Sequence, residues 1–339
     1  MTQENAKEFF EKHFGQPSSE FVTLAQSGSS RVNYKASNCT GNYIITYNEN
    51  LRENEAFLYF SKIFQDLNLN TPQIFAVSED RKIYIQEFLG QKTLSEVIAE
   101  EAQSEHVTEL VKQTLEKLFK LQQKTAHSID YTQTFEYESY DELPIMHDLY
   151  YFKNFTADVL DLEYHKSSLL KEFKNIIQLV ENLEPKGLMI RDFQARNIMV
   201  NEENQVSFID YQAAMRGSFM YDVISFLFQA KANFSEDFKN KMLTYYIELY
   251  DDEEIKSKLK KSVKPLQLMR YLQVLGAYGL RGLVQRKAHF IASIEKGIQN
   301  LTEFASNWEE MQNYPELQNV IEQLNSAETK LKIERIINH

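Results

Sequence analysis

Two carboxylates and one amide, at a spacing suited to handling phosphate, stand out in this 339-residue chain. Asp192 lies five positions before Asn197, and Asp210 closes an apolar run a little further on. Transfer of a phosphoryl group from ATP needs such an inventory. One carboxylate receives the proton of the attacking hydroxyl, while an amide and a second carboxylate hold the magnesium that neutralises the triphosphate. The flanking residues supply the geometry. Ile198-Met199-Val200 and Val206-Ser207-Phe208-Ile209 read as short strands joined by a polar turn at Glu202-Glu203-Asn204. A hairpin of that kind puts Asn197 and Asp210 at one edge, as two oxygen ligands converging on a cation.

The spacing is that of a kinase catalytic loop, R-D-x-x-x-x-N, followed by a strand-ending aspartate. Read alone, the same residues also suit a solvated turn, with Asp192 and Asn197 as turn formers. The combination favours chemistry: an apolar approach, Arg191-Asp192, an amide before a hydrophobic strand, and a second strand closed by an acid. The segments Arg191-Asp192-Phe193-Gln194-Ala195-Arg196-Asn197-Ile198-Met199-Val200 and Phe208-Ile209-Asp210-Tyr211-Gln212 resemble the aminoglycoside phosphotransferase and choline kinase superfamily. Within it they are most similar to the cell-wall amino-sugar kinases and similar proteins of Bacteroidetes. Further resembling segments are Ser27-Gly28-Ser29-Ser30-Arg31, Glu53-Asn54-Glu55-Ala56-Phe57, residues 148–153, Tyr221-Asp222-Val223 and residues 273–279.

The resemblance implies an α+β, bilobal, protein-kinase-like fold with a small β-sheet lobe and a larger helical one. It also implies ATP and Mg²⁺ as cofactors, with Asp192 as the base or hydroxyl-orienting group and Asn197 and Asp210 as metal ligands. The acceptor it suggests is a small-molecule hydroxyl, most plausibly the anomeric oxygen of N-acetylglucosamine or N-acetylmuramate. An aminoglycoside or a choline-like alcohol is the rival acceptor. A nucleotide-binding pseudokinase that acts as an interaction module is the rival of another class.

The surrounding elements follow from periodicity. Ala6–Phe14 reads as an amphipathic helix, Glu20–Gln26, Arg31–Ala36 and Asn42–Tyr47 as strands, and Asn50–Phe64 as a helix. Ile74–Val77 and Lys82–Phe88 form a hairpin around Glu79-Asp80. Thr93-Leu94-Ser95-Glu96 is a capping box that opens the helical part. We therefore expect an ATP-binding lobe over residues 1–90 and a catalytic and acceptor-binding lobe over 91–339.

Several nucleotide contacts follow from that layout. Ser27, Gly28, Ser29, Ser30 and Arg31 fall between the first two strands, where they serve either as phosphate cover or as a plain hairpin turn. Glu87 and Leu89 offer backbone groups to adenine if residues 85–89 are the hinge, and otherwise end a buried strand. The third strand, Tyr43-Ile44-Ile45-Thr46-Tyr47, carries no lysine for the phosphates. Arg31 or Lys35 could supply that charge, and both also suit the surface. Glu53 either organises the phosphates or completes a capping box begun by Asn50, and the cap is the stronger reading. Gln194 stands where protein kinases place a lysine. Arg196 is a candidate catalytic cation or a structural ion pair, and Arg191 orders the loop. Asp222 is expected to cap the next helix. Only ten residues separate Asp210 from Tyr221, too few for an activation segment that docks a polypeptide.

Composition closes other doors. A net charge of −12 argues against a nucleic-acid partner. The single Cys39 excludes an intrachain disulfide and a multi-cysteine metal site. No run approaches a membrane span and the first residues lack signal-peptide order, so a cytoplasmic protein is expected.

Overall fold

The computed structural model describes residues 3–25 and 31–338, which form two compact units. The first comprises residues 1–138 and 188–215, the second residues 139–187 and 216–339. Gly90, at the expected lobe junction, lies inside the first unit.

The first unit is built on a five-stranded antiparallel sheet in the order β1-β2-β3-β5-β4. Its strands are β1 (Glu20–Thr23), β2 (Val32–Asn38), β3 (Gly41–Tyr47), β4 (Ile74–Val77) and β5 (Ile83–Glu87). The expected strands are all present, but β1 ends at Thr23, short of Gln26. Alternation explains the two faces. Tyr34, Ala36, Tyr43, Ile45, Ile83 and Ile85 form one apolar layer, closed by Ala6 and Phe10 of helix α1 (Gln3–Phe14). Polar groups sit among the intervening positions: Thr46 Oγ1 donates to Asn33 Oδ1 (2.7 Å) and accepts from Gln86 Nε2 (2.9 Å). Helix α2 (Leu51–Asp66) buries Phe57, Phe60 and Phe64 along one stripe, each stabilising by about 1.5–3 kcal/mol. Phe57 stacks on Tyr84 of β5 at 5.0 Å.

The chain leaves this sheet through Gly90, whose φ of +134° suits glycine, and a Cβ there would meet Val200 O at 2.6 Å. Then come β6 (Lys92–Thr93), α3 (Leu94–Glu101) and α4 (Glu105–Thr125). The capping box is complete, with Thr93 and Glu96 bonded in both directions. Strands β8 (Ile198–Val200) and β9 (Val206–Phe208) form the expected hairpin and join β6 in a three-stranded antiparallel sheet. Helix α4 fixes this hairpin: Gln113 accepts from Val206 N–H (2.6 Å) and donates to Asn204 O (3.0 Å), and Lys117 donates to Val206 O (2.8 Å). The chain passes between the units at β7 (Lys186–Met189) and β10 (Met215–Ser218).

The second unit is helical, with α5 (Glu142–Phe152), α6 (Lys166–Glu181), α7 (Phe219–Leu227), α8 (Glu236–Ile247), α9 (Glu253–Tyr278), α10 (Ala288–Ser306), α11 (Pro315–Leu324) and α12 (Ala327–Asn338). Helix α5 packs closely on α9, where a Cβ on Gly276 would lie 2.8 Å from Phe152 N. The cap of α7 departs from expectation. Ser218 occupies the N-cap, while Asp222 sits in the first turn, fully buried. Helix formation from Phe219 onward, one turn early, takes Asp222 out of the capping position.

Candidate active site

The catalytic loop is held by its own short-range bonds. Ile190, where kinases usually place histidine, is buried, and its carbonyl accepts from Asp192 N–H (3.0 Å). Arg191 adopts φ +75°, a conformation that costs a non-glycine residue on the order of 1–2 kcal/mol and reverses the chain sharply. Phe193 then buries itself edge-on against Phe208 at 4.9 Å. The Asp192 side chain, about 35% exposed, accepts from Gln194 Nε2 on Oδ1 and from Arg196 Nη2 on Oδ2 (2.9 Å). Both sequence-predicted catalytic residues, Asp192 and Arg196, are therefore in contact. Arg196 is half exposed, so the pair stabilises the fold by less than about 1 kcal/mol and acts mainly to orient the carboxylate.

Asn197 is 7% exposed and ends a 3₁₀ turn, Ala195–Asn197, on which α3 packs. Its Nδ2 donates to Asp192 O (2.9 Å), which turns the amide oxygen the other way, as a ligand for a cation would be turned. The hairpin register sets Asn197 against the end of β9, with Ile209 N–H donating to Asn197 O (3.0 Å). Asp210 follows in the left-handed region (φ +65°), which aspartate tolerates better than most residues. The next residue, Tyr211, is fully buried. It stacks on Phe57 at 4.9 Å and hydrogen-bonds Ser61 Oγ (2.7 Å), so α2 clamps the chain beside Asp210. Burial pushes the Tyr211 hydroxyl pKa up.

Asp210 meets the residue just before β2. Arg31, with a 13% exposed side chain, donates to Asp210 Oδ1 through Nη2 and to Gln212 Oε1 through Nη1 (3.1 Å), and its Nε lies 3.5 Å from Glu53 Oε1. Gln212 in turn donates to Asp210 Oδ1 (3.2 Å). Burial opposes the charge on Arg31, but Asp210, Tyr84 and Glu53 outweigh it and raise the pKa. The Tyr84 hydroxyl is pushed up to about 12 by its burial, against the pull of Arg31. Glu53 is not the return half of a capping box. Asn50 does accept from Glu53 N–H (3.3 Å), but the Glu53 carboxylate turns to Asn48 Nδ2 (2.8 Å) and Arg31, while Asn50 N–H donates to Asn48 Oδ1 (3.1 Å).

Lys35 is engaged elsewhere, with Glu20 at 3.0 Å. On β3, the inward register position opposite Tyr84 is Thr46. Ser27, Gly28, Ser29 and Ser30 lie outside the described residues. Glu87 N–H donates to Gln73 O (2.9 Å), and Leu89 lies just before Gly90.

No group of three or more His, Cys, Asp or Glu among the described residues could hold a metal by itself. Asn197 and Asp210 fit the remaining case, magnesium held by one or two side chains and the phosphates of its nucleotide.

In the second unit, α5, the turn that follows it and α9 carry further polar side chains. Asp148 is buried and accepts from Tyr140 (2.8 Å), and Lys153 pairs with Asp158 (2.7 Å). Arg270, 6% exposed, donates to Gln273 (2.7 Å). Sequence reasoning missed Gln212, Tyr211, Ser61 and Gln113. Only the run Asp210-Tyr211-Gln212 carried a signal for any of them.

Residues 22–257, more than half of the chain, match the family described as APH, phosphotransferase enzyme family. No curated protein matches the sequence. Among solved structures, Plasmodium vivax ethanolamine kinase aligns at a TM-score of 0.61 and 17% identity, over 84% of this chain and 82% of that one. Choline kinase LicA from Streptococcus pneumoniae aligns at 0.59 and 11%, over 88% and 99%. A thermostable mutant of aminoglycoside phosphotransferase APH(4)-Ia, in ternary complex with ADP and hygromycin B, aligns at 0.56 and 15%, over 87% and 98%. At these identities the structures speak for the fold, which is the expected kinase-like one, and the match over residues 22–257 speaks for the family: the chain belongs to the phosphotransferase enzyme family.

Proposed function

We propose that the protein transfers the γ-phosphoryl group of ATP to the hydroxyl of a small molecule, the anomeric oxygen of an N-acetylated amino sugar. The observation that carries the reaction type is the hairpin that brings Asn197 and Asp210 to one edge, with the Asp192 main-chain carbonyl accepting from the Asn197 amide. As the acceptor oxygen bonds to the γ-phosphorus, its proton passes to Asp192 and the bond to the β-phosphate oxygen breaks, releasing ADP. Magnesium, when held by Asn197 and Asp210, neutralises charge on the phosphates. Gln194 and Arg196 keep the Asp192 carboxylate oriented for the hydroxyl. Residues 27–30 cover the phosphates, Arg31 supplies positive charge beside them, and the backbone of Glu87 and Leu89 meets adenine.

For the acceptor, the support comes from the resembling segments and from charge. The solved neighbours named above include kinases of ethanolamine and choline and an enzyme bound to hygromycin B. In this chain Arg270 is a buried cation whose hydrogen-bond partner is the neutral Gln273, and such a group disfavours a cationic acceptor nearby. An acceptor screen with phosphorus NMR tests the reading. N-acetylhexosamines should yield a sugar 1-phosphate that loses phosphate in mild acid. Aminoglycosides or amino alcohols turned over at higher kcat/KM would replace the amino sugar as acceptor, and no product from any class would favour the pseudokinase.

A further inference from the structure

The strongest unassigned feature is Gln212, a buried amide that the chemistry above does not use. Its side chain is 8% exposed and makes two bonds of opposite sense: Nε2 donates to Asp210 Oδ1 (3.2 Å), and Oε1 accepts from Arg31 Nη1 (3.1 Å). The amide does both at once, whereas a carboxylate offers no donor and an aliphatic group offers neither. The bridge matters because of where Arg31 comes from. A cation on β3 would be held by the hydrogen bonds of a central strand, but the inward position there is Thr46, already bonded to Asn33 and Gln86. Arg31 instead precedes β2, on a long side chain whose freedom must be removed before it can meet a phosphate. Glu53 restrains its Nε at 3.5 Å, and Gln212 restrains the outer end of the guanidinium.

We propose that Gln212 is a positioning residue of the nucleotide site, fixing the Arg31 guanidinium beside Asp210 so that a cation delivered from β2 serves the phosphates in place of one on β3. The proposal rests on the phosphotransferase reading. Gln212 touches no phosphate itself and acts through Arg31 and Asp210.

The test uses the full-length protein and calorimetric binding of magnesium AMP-PNP, with adenosine as the ligand that lacks phosphates. Gln212→Leu should weaken magnesium AMP-PNP binding by about tenfold and leave adenosine unaffected. Arg31→Ala should do the same, and the double variant should be no weaker than Arg31→Ala, because the amide acts through the arginine. Gln212→Glu, equal in size, keeps the acceptor for Arg31, loses the donor to Asp210 and should fall in between. It provides a second measurement if thermal melts show that Gln212→Leu fails to fold. Unchanged magnesium AMP-PNP affinity in the folded Gln212 variants overturns the proposal alone, as does equal weakening of adenosine or full additivity with Arg31→Ala. A wild-type protein that binds no magnesium AMP-PNP overturns the phosphotransferase reading and this proposal with it.

Discussion

Asp192 and Asp210 are the same residue type on one loop-and-hairpin segment, yet they are held in opposite ways. The partners of Asp192 described above are local: Gln194 two residues on and Arg196 four residues on at its carboxylate, and the Asn197 amide five residues on at its main-chain carbonyl. Asp210 is met by Arg31 from 179 residues away, with Gln212 bridging the two. A carboxylate fixed by its own loop keeps its orientation wherever that loop folds. One fixed by a distant strand depends on the sheet, on α2 and on the stacking of Tyr211. The first arrangement suits a proton acceptor, which needs one direction. The second suits a group that shares a partly buried, charged environment with a cation.

That contrast can be broken at several points. The largest expected effect is on turnover: Asp192→Asn should leave ATP affinity nearly intact while lowering kcat by about 10²–10⁴, the range for a lost general base. Steady-state kinetics showing more than a tenth of wild-type kcat would remove Asp192 from that role. Asp210→Ala should act on binding instead, weakening magnesium-dependent ATP affinity by about a hundredfold or more, because a ligand is lost and Arg31 loses its counter-charge. Equal affinities by calorimetry would show that Asp210 does not serve the metal.

A smaller and sharper effect concerns the origin of the cation. Adding Thr46→Lys to Arg31→Ala places a charge on the third strand and should recover most of the roughly tenfold loss in magnesium AMP-PNP affinity. No recovery would mean that the geometry before β2, rather than charge as such, is what the phosphates require. The smallest effect is on stability. Tyr211→Phe keeps the stacking on Phe57 and removes one hydrogen bond to Ser61, whose hydroxyl still reaches Phe57 O (2.7 Å), so a loss of about 1 kcal/mol is expected in denaturant unfolding. A loss several times larger would show that the hydroxyl, rather than the ring, anchors the segment.

The sequence was most readable where bonding is local. The strands at Ile198–Val200 and Val206–Phe208 and the capping box at Thr93 emerged where alternation and cap chemistry placed them, because each depends on residues within a few positions. Glu53 shows where such reasoning stops. Its position after Asn50 suits a capping box, yet Asn48 and Arg31 compete for the carboxylate, and nothing local reveals that they are near. Likewise Asp222 looked like a cap because its place in the helix is set by where α7 starts, one turn earlier than the sequence pattern suggested.

The sequence by itself singled out Asp192, Asn197 and Asp210 as candidates, since their spacing along one short hairpin fixes which of them can converge. It offered Arg31 or Lys35 for the missing charge, with only Arg31 also belonging to the run between the first two strands. Tertiary structure distinguished them: the register of β1 on β2 sets Lys35 opposite Val22 and within reach of Glu20, while Arg31 is carried to Asp210 and Gln212. A contact across 179 residues depends on how sheet, helix and hairpin pack together, and no local pattern in the chain encodes that distance.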